Sequence, residues 1–133
     1  MIRRELVLHR LERAKESLVE AGLMLEGHHF NTAVSRAYYS AFYAVTALLE
    51  TEGLASAKHS GVRALLNQHF IKTGKLPKEL GRAYADLFED RQEGDYADMI
   101  RFDRDTALTR SEQAKETLIQ IEAIVNAWLE AHP

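Results

Sequence analysis

Apolar residues recur along most of this chain with the spacing of α-helices. Between Arg3 and Glu26 they step 4-3-4-3-4 through Val7, Leu11, Ala14, Leu18, Ala21 and Leu25. After Asp103 a second set steps 4-3-4-3-4-3 through Ala107, Ser111, Ala114, Leu118, Ile121, Val125 and Trp128. Such spacing places every member of a set on one side of a helix. Two long terminal helices are therefore predicted, each with one apolar stripe.

The segment 31–50, which is rich in alanine, is predicted to be the central helix. One face carries a broad apolar stripe, wide enough to pack against several helices: Val34, Tyr38, Ala41, Phe42, Val45, Leu48 and Leu49. The other face carries Arg36, Tyr39, Ser40 and Tyr43, where a solvated helix would carry glutamate and lysine. We therefore expect this second face to meet a partner chain, a ligand or another helix.

Glycine, proline and capping residues predict where the helices begin and end. The expected ends are Gly27, Gly53, Gly74 and Gly94, and the expected starts are Asn31, His59 or Ser60, Pro77 and Asp103. No segment shows the pattern of a β-strand. The predicted fold is all-α, an up-and-down bundle of about five helices in a single domain over residues 1–133, with the second helix the most buried.

Composition narrows the class of protein. The 133 residues are 46% hydrophobic and 28% charged, which is typical of one soluble globular domain. With no long apolar window and no signal-like start, we expect no membrane association, and the lack of cysteine fits the cytoplasm. A net charge of −3 disfavours a broad nucleic-acid surface but leaves room for a local basic pocket.

Arg91 is the most informative charged residue, because it continues the apolar stripe that contains Tyr84 and Leu87. Asp95 and Tyr96 follow it closely. A charge at the end of a buried stripe needs a partner or an opening to water. Two interpretations remain open: an ion pair that stabilises the helix end, and an anion or phosphate site built on the guanidinium.

His59 is the second candidate for chemistry. It lies beside Lys58 at the predicted start of the third helix, where amide groups favour an anion, and imidazole transfers protons near neutral pH. A plain hydrogen-bonding role is the alternative. The histidines lack the pair spacing of a metal site, and no glycine-rich phosphate loop occurs. We therefore expect neither a metal nor a cofactor.

Three stretches in order, SRAYYSAFYAVTALLETEGL, KHSGV and KLPKELGRAYADLFEDRQEGDY, resemble the HEPN family (higher eukaryotes and prokaryotes nucleotide-binding). The likeness is greatest to its short stand-alone bacterial and archaeal members. This resemblance implies a helical domain that dimerises and is often encoded beside a minimal nucleotidyltransferase. Many such pairs are toxin and antitoxin, and the active toxins are metal-independent endoribonucleases.

The catalytic signature of the resembled family is an arginine followed four to six residues later by a histidine. Arg91 matches the arginine, but Tyr96 stands where the histidine is expected. A tyrosine with a pKa of about 10 is ionised at roughly one part in a thousand near neutral pH. Its use as a general base should cost about 10²- to 10⁴-fold in rate. His59 could compensate if the fold brings it to Arg91.

Two hypotheses follow. The preferred one is a dimeric binding and regulatory module, the partner of a minimal nucleotidyltransferase in a toxin–antitoxin-like pair. Its face of Arg36, Tyr39 and Tyr43 and its site of Arg91, Asp95 and Tyr96 would hold a nucleotide, RNA or the partner. The alternative is a metal-independent endoribonuclease toxin that uses Arg91 with Tyr96 or His59. The dimer is expected to form through the second helix and the segment after Gly94, because tyrosines are enriched at interfaces.

Overall fold

The computed structural model describes the backbone of residues 2–96 and 100–133, and the side chains of residues 3–91 and 100–133. The helices are α1 (Ile2–Glu26), α2 (Phe30–Thr51), α3 (His59–Leu66), α4 (Lys78–Tyr96) and α5 (Arg104–Ala131). A π-helical turn, Asn67–Ile71, continues α3. These ranges contain no strand, so the predicted all-α bundle of five helices is confirmed.

The first two helices form an antiparallel hairpin through a three-residue turn. The pairing follows from contacts that move down α1 as they move up α2: Arg3–Glu50, Arg10–Thr46, Arg13–Tyr43 and Glu20–Arg36. The residue that takes the left-handed conformation in the turn is His28, with φ 63°, and not Gly27. Amides of His28 and His29 bond back to the carbonyls of Leu25 and Met24, which closes the end of α1.

Helix α2 lies at the centre of the bundle and contacts each of the other four helices. Its buried positions cover most of its circumference and include five alanines, whose small side chains let neighbouring helices approach closely: Ala33, Val34, Ala37, Tyr38, Ser40, Ala41, Ala44, Val45, Ala47, Leu48 and Leu49. The apolar stripes of α1 and α5 pack against it. The prediction that the alanine-rich second helix is central and the most buried is confirmed.

Ser40 corrects the two-face picture of α2. It was expected on the polar face, but its side chain is fully buried against α1. Its Oγ donates a hydrogen bond to the carbonyl oxygen of Ala14 at 2.7 Å. A serine fits here because the adjacent α1 residue is an alanine, and because the carbonyl satisfies the buried hydroxyl.

Most of the predicted helix boundaries are confirmed, including the end of α1 just before Gly27 and the start of α3 at His59. Gly53 (φ 70°) and Gly74 (φ 78°) adopt the left-handed conformation that ends a helix, and Asp103 caps α5 by accepting a bond from the Thr106 amide at 2.8 Å. Gly94 does not end α4, which continues to Tyr96. A glycine inside a helix costs only about 1 kcal/mol, so neighbouring residues can carry the helix through it.

Asn31 is not the N-cap of α2, since the helix begins at Phe30 after His29. Its side chain instead holds the segment before α5. Nδ2 donates to the carbonyl oxygen of Ile100 at 2.9 Å, and Oδ1 accepts from the Phe102 amide at 2.8 Å. The start of α2 and the approach to α5 are thereby fastened together.

Within the described part of the chain, no helix combines the length and the apolar character needed to cross a membrane.

Candidate functional site

An aromatic cluster lies where α2, α3 and α4 meet. Its centre is the fully buried ring of Tyr38. Around it, at ring-centroid distances of 5.2 to 6.3 Å, lie Tyr39, His59, Phe42, Tyr84 and Phe88. We refer to these six residues as the aromatic cluster. Three different helices contribute to it, so its geometry depends on the packing of the whole bundle.

Arg91, on α4, lies against this cluster and is half-buried. Its Nη2 donates a hydrogen bond to the Tyr39 hydroxyl at 3.0 Å. The guanidinium carbon is 5.7 Å from the ring centroids of both Tyr38 and Tyr39. These two rings meet edge to face at 73°, so the cation is close to two aromatic groups at once.

His59 opens α3 and belongs to the same cluster. Its Nδ1 and the Tyr38 hydroxyl are hydrogen-bonded at 2.7 Å, with the hydroxyl as donor when Nδ1 is unprotonated. The imidazole is stacked on the Phe42 ring, with a centroid distance of 4.3 Å and an angle of 12° between the planes. The ring is therefore held both by stacking and by a hydrogen bond.

The fold brings Arg91 and His59 to the same two tyrosines. Arg91 contacts Tyr38 and Tyr39, while His59 bonds the Tyr38 hydroxyl and meets the Tyr39 ring edge-on at 6.0 Å. The sequence left this proximity open, because the two residues lie on different helices. A guanidinium, an imidazole and two phenols thus form one site.

Tyr38 and Tyr84 were read from the sequence only as members of buried stripes. The signal that could have singled them out is the phenol itself, since a buried tyrosine hydroxyl usually needs a partner where phenylalanine would not. Tyr84 is fully buried, and burial raises its pKa well above the ordinary value, with the neighbouring Tyr38 adding to the effect. The Tyr84 phenol therefore resists ionisation further into the alkaline range than an ordinary tyrosine does.

The predicted face of Arg36, Tyr39 and Tyr43 lies along the junction of α1 and α2. Arg36 lies over the Tyr39 ring at 5.0 Å, and its Nη1 is 3.6 Å from a Glu20 carboxylate oxygen. Arg13 of α1 lies over the Tyr43 ring at 5.1 Å. Sequence reasoning missed Arg13, because its position beside the α1 stripe resembles that of a solvated residue.

The side chains of Asp95 and Tyr96 lie outside the described residues, so only their backbone places them, in the last turns of α4 beyond Arg91. The described residues hold no group of three or more histidine, aspartate or glutamate side chains arranged to bind a metal ion.

The arrangement around Arg91 suits a phosphate next to a flat ring. A guanidinium can form two parallel hydrogen bonds to phosphate oxygens. Exposed parts of the aromatic cluster offer stacking surface, and an imidazole can accept or donate a proton near neutral pH.

The chain is similar to several known proteins. The HEPN domain model matches residues 7–132. A UPF0332 protein of Thermotoga maritima is 42% identical over 85% of this chain and 86% of its own length. Two proteins of Methanocaldococcus jannaschii that are named as candidate toxins are also similar. One is 37% identical over 73% of this chain and 66% of its own length, and the other 30% identical over 92% and 86%.

The domain model covers nearly the whole described bundle, including α2, His59 and Arg91. The chain belongs to the HEPN domain family.

Proposed function

We propose that this chain is a toxin-type HEPN module that binds the phosphate of a nucleotide, free or within RNA, at the site formed by Arg91, Tyr38, Tyr39 and His59. The observation that carries this proposal is the position of Arg91. Its guanidinium is half-buried, close to two aromatic rings and oriented by the Tyr39 hydroxyl. Orientation before binding reduces the entropy lost when a ligand is captured.

The chemistry favours a nucleotide over a simple anion. Arginine pairs with phosphate in a bidentate manner, whereas the tyrosine, phenylalanine and imidazole rings provide stacking surface for a base. The overall charge of −3 does not oppose this function, because one local arginine is enough to pair with a phosphate. The names of the two archaeal relatives support the toxin-type assignment.

The test is a titration of wild type, Arg91→Ala and Arg91→Lys with uridine monophosphate, together with melting curves. Arg91→Ala should weaken binding at least about tenfold, and lysine should rescue poorly because it lacks the bidentate fork. Arg82→Ala is the matched control, since it removes the same charge from an exposed position on α4. Equal affinities with a lower melting temperature for Arg91→Ala would leave only a structural role.

A second candidate function is metal-independent RNA cleavage, and the position of His59 favours it. This imidazole lies in the same cluster as Arg91, bonded to Tyr38 at 2.7 Å, and could act in place of the histidine that Tyr96 replaces. It would take the proton of a 2′-hydroxyl, whose oxygen attacks the adjacent phosphorus and displaces the 5′-oxygen of the next nucleotide. The imidazolium would return the proton to that leaving oxygen, while Arg91 stabilises the charged phosphate.

Incubation of total RNA with purified protein in EDTA tests the cleavage hypothesis. Wild-type cleavage that disappears in both His59→Gln and Arg91→Ala, while His69→Gln remains active, would support it. His69 is a suitable control because it lies in the π-helical turn outside the aromatic cluster. Binding by the wild type without any cleavage would leave the binding module as the function.

We also propose that the protein acts as a homodimer and pairs with a minimal nucleotidyltransferase. Both ideas rest on the family resemblance. Light scattering at tens of micromolar should give twice the chain mass of 15.1 kDa. A monomer would refute the dimer. Co-expression with a nucleotidyltransferase encoded beside it, followed by affinity purification, tests the second partner.

A further inference from the structure

A cleft of about 330 Å³ lies between α1 and α2. His9, Arg10 and Arg13 line it from α1, and Phe42 and Tyr43 line it from α2. Two of these five side chains are arginines, one is a histidine and two are aromatic. The cleft therefore repeats the combination of groups found around Arg91.

The charge of Arg13 is the distinctive feature of this cleft. Its Nη2 donates a long hydrogen bond of 3.4 Å to the Tyr43 hydroxyl, and the guanidinium lies 5.1 Å above the ring. Among the described side chains, no carboxylate oxygen lies within 4.0 Å of it, whereas Arg10 lies 3.7 Å from Glu50 and Arg36 lies 3.6 Å from Glu20. Glu16 and Glu20 are near enough to attract this charge, but neither carboxylate comes within 4.0 Å of it.

The cleft adjoins the aromatic cluster beside Arg91. Tyr39 and Tyr43 are one helical turn apart on α2, with ring centroids separated by 6.2 Å. Phe42 is shared by both places, since it lines the cleft and stacks on His59 at 4.3 Å. A row of aromatic rings therefore runs along α2, with Arg91 and Arg36 near one end and Arg13 near the other.

We propose that this cleft is a second nucleotide subsite, and that the ligand of the protein is single-stranded RNA of several nucleotides rather than a free mononucleotide. This inference rests on the proposed function of the Arg91 site. One phosphate would pair with Arg91 and another, further along the strand, with Arg13. The bases between them would stack along Tyr39, Phe42 and Tyr43.

The physical basis is the way proteins hold single strands. A positively charged groove follows the backbone, and aromatic side chains stack the bases without regard to sequence. Arginine over an aromatic ring supplies both parts, and it recurs here as Arg13 over Tyr43, Arg36 over Tyr39 and Arg91 beside Tyr38 and Tyr39. A mononucleotide carries only one base and would occupy one end of this row.

The experiment compares two probes, uridine monophosphate and a labelled oligouridylate of about six nucleotides, a length within the range that single-strand grooves hold. The oligouridylate carries 2′-O-methyl groups, so that it cannot be cleaved through a 2′-hydroxyl. Arg13→Ala should weaken oligouridylate binding about tenfold and leave mononucleotide binding unchanged. It should also reduce the slope of log affinity against log salt by about 0.7, the value for one phosphate contact on a single strand.

Arg82→Ala is the control for the loss of one positive charge. Comparison of Tyr43→Phe with Tyr43→Ala separates the effect of losing the hydroxyl from the effect of losing the ring. Tyr43→Ala should weaken the oligouridylate about tenfold, and Tyr43→Phe should keep most of the affinity because the ring remains. An Arg13→Ala affinity equal to that of Arg82→Ala would overturn the second subsite. The outcome for Arg91→Ala is independent: if that variant binds both probes normally, the proposed function fails, whatever Arg13 does.

Discussion

Arg91 on α4 donates a hydrogen bond to the hydroxyl of Tyr39 on α2, across 3.0 Å and 52 positions of sequence. This bond joins a guanidinium that lies against the aromatic cluster to the helix around which the bundle is built. The guanidinium is consequently oriented by α2, although it is carried by α4. Any change in the packing of these two helices would move the candidate site.

Removal of the Tyr39 hydroxyl should therefore loosen Arg91 while the ring stays in place. We expect Tyr39→Phe to lower the free energy of unfolding by about 1 kcal/mol, the usual contribution of one hydrogen bond. Mononucleotide affinity should fall several-fold, because the guanidinium is less well oriented. Tyr39→Ala, which also removes the ring beside the cation, should have a larger effect on both quantities. Unchanged affinity in both variants would contradict the role given to this contact.

A second prediction concerns the fastening of α2 to the segment before α5. Asn31→Ala removes two hydrogen bonds, to Ile100 and Phe102, and should destabilise the protein by about 1 to 2 kcal/mol in urea unfolding. Asn31→Asp keeps the acceptor for the Phe102 amide and loses only the donor to Ile100. Its free energy of unfolding should therefore lie between those of the wild type and Asn31→Ala. Thr32→Ala, at the exposed next position, is the control. Equal stability of the two alanine variants would contradict the role of Asn31.

The helices were predictable from the sequence because their periodicity is local. The 4-3 spacing of α1 and α5 and the alanine-rich α2 each depend on nearby residues, and Asp103 could be recognised as a cap. The errors at Asn31 and Ser40 have the opposite origin. Their side chains bond backbone groups 69 to 71 and 26 positions away, and no local pattern reports such a partner.

The candidate site was predictable only in part, for the same reason. Arg91 stood out as a charge at the end of an apolar stripe, and His59 as a histidine at a helix start. Their meeting at Tyr38 and Tyr39 depends on how three helices pack. The Arg13–Tyr43 contact, between residues 30 positions apart, likewise becomes visible only after the hairpin has formed.

The N-cap of α5 should respond to acid. The amide of Thr106 donates to Asp103 and holds the pKa of that carboxyl below its ordinary value of 3.8. A carboxyl whose pKa is lower in the folded chain stabilises the protein when the pH is above the ordinary pKa of that carboxyl. This contribution to stability is lost as the pH falls through the folded-state pKa. Asp103→Asn keeps a capping oxygen without this titration, so its melting temperature should approach that of the wild type below about pH 4.

Asp103→Ala removes the cap itself and should melt a few degrees lower than the wild type at neutral pH. Asp105→Asn, in the first turn of the same helix, controls for the loss of one carboxylate. A constant difference between the wild type and Asp103→Asn from pH 7 to pH 3 would rule out a contribution from the Asp103 charge.

The last prediction concerns alkaline conditions and the buried phenol of Tyr84. Burial, with the neighbouring Tyr38, raises the pKa of Tyr84 well above its ordinary value of 10.0, although Arg63 opposes the shift. Below pH 10 the phenol is protonated in both the folded and the unfolded chain, and its titration leaves stability unchanged. As the pH rises beyond 10, the unfolded chain ionises while the folded chain does not, so stability is lost up to the folded-state pKa. The slope for one group is at most about 1.4 kcal/mol per pH unit.

In Tyr84→Phe this part of the dependence of stability on pH should be absent. Urea unfolding between about pH 8 and pH 11 measures it, with Tyr43→Phe as the control for the loss of one half-buried tyrosine. Parallel stability curves for the wild type and Tyr84→Phe would show that the phenol ionises as readily in the folded protein as in the unfolded chain.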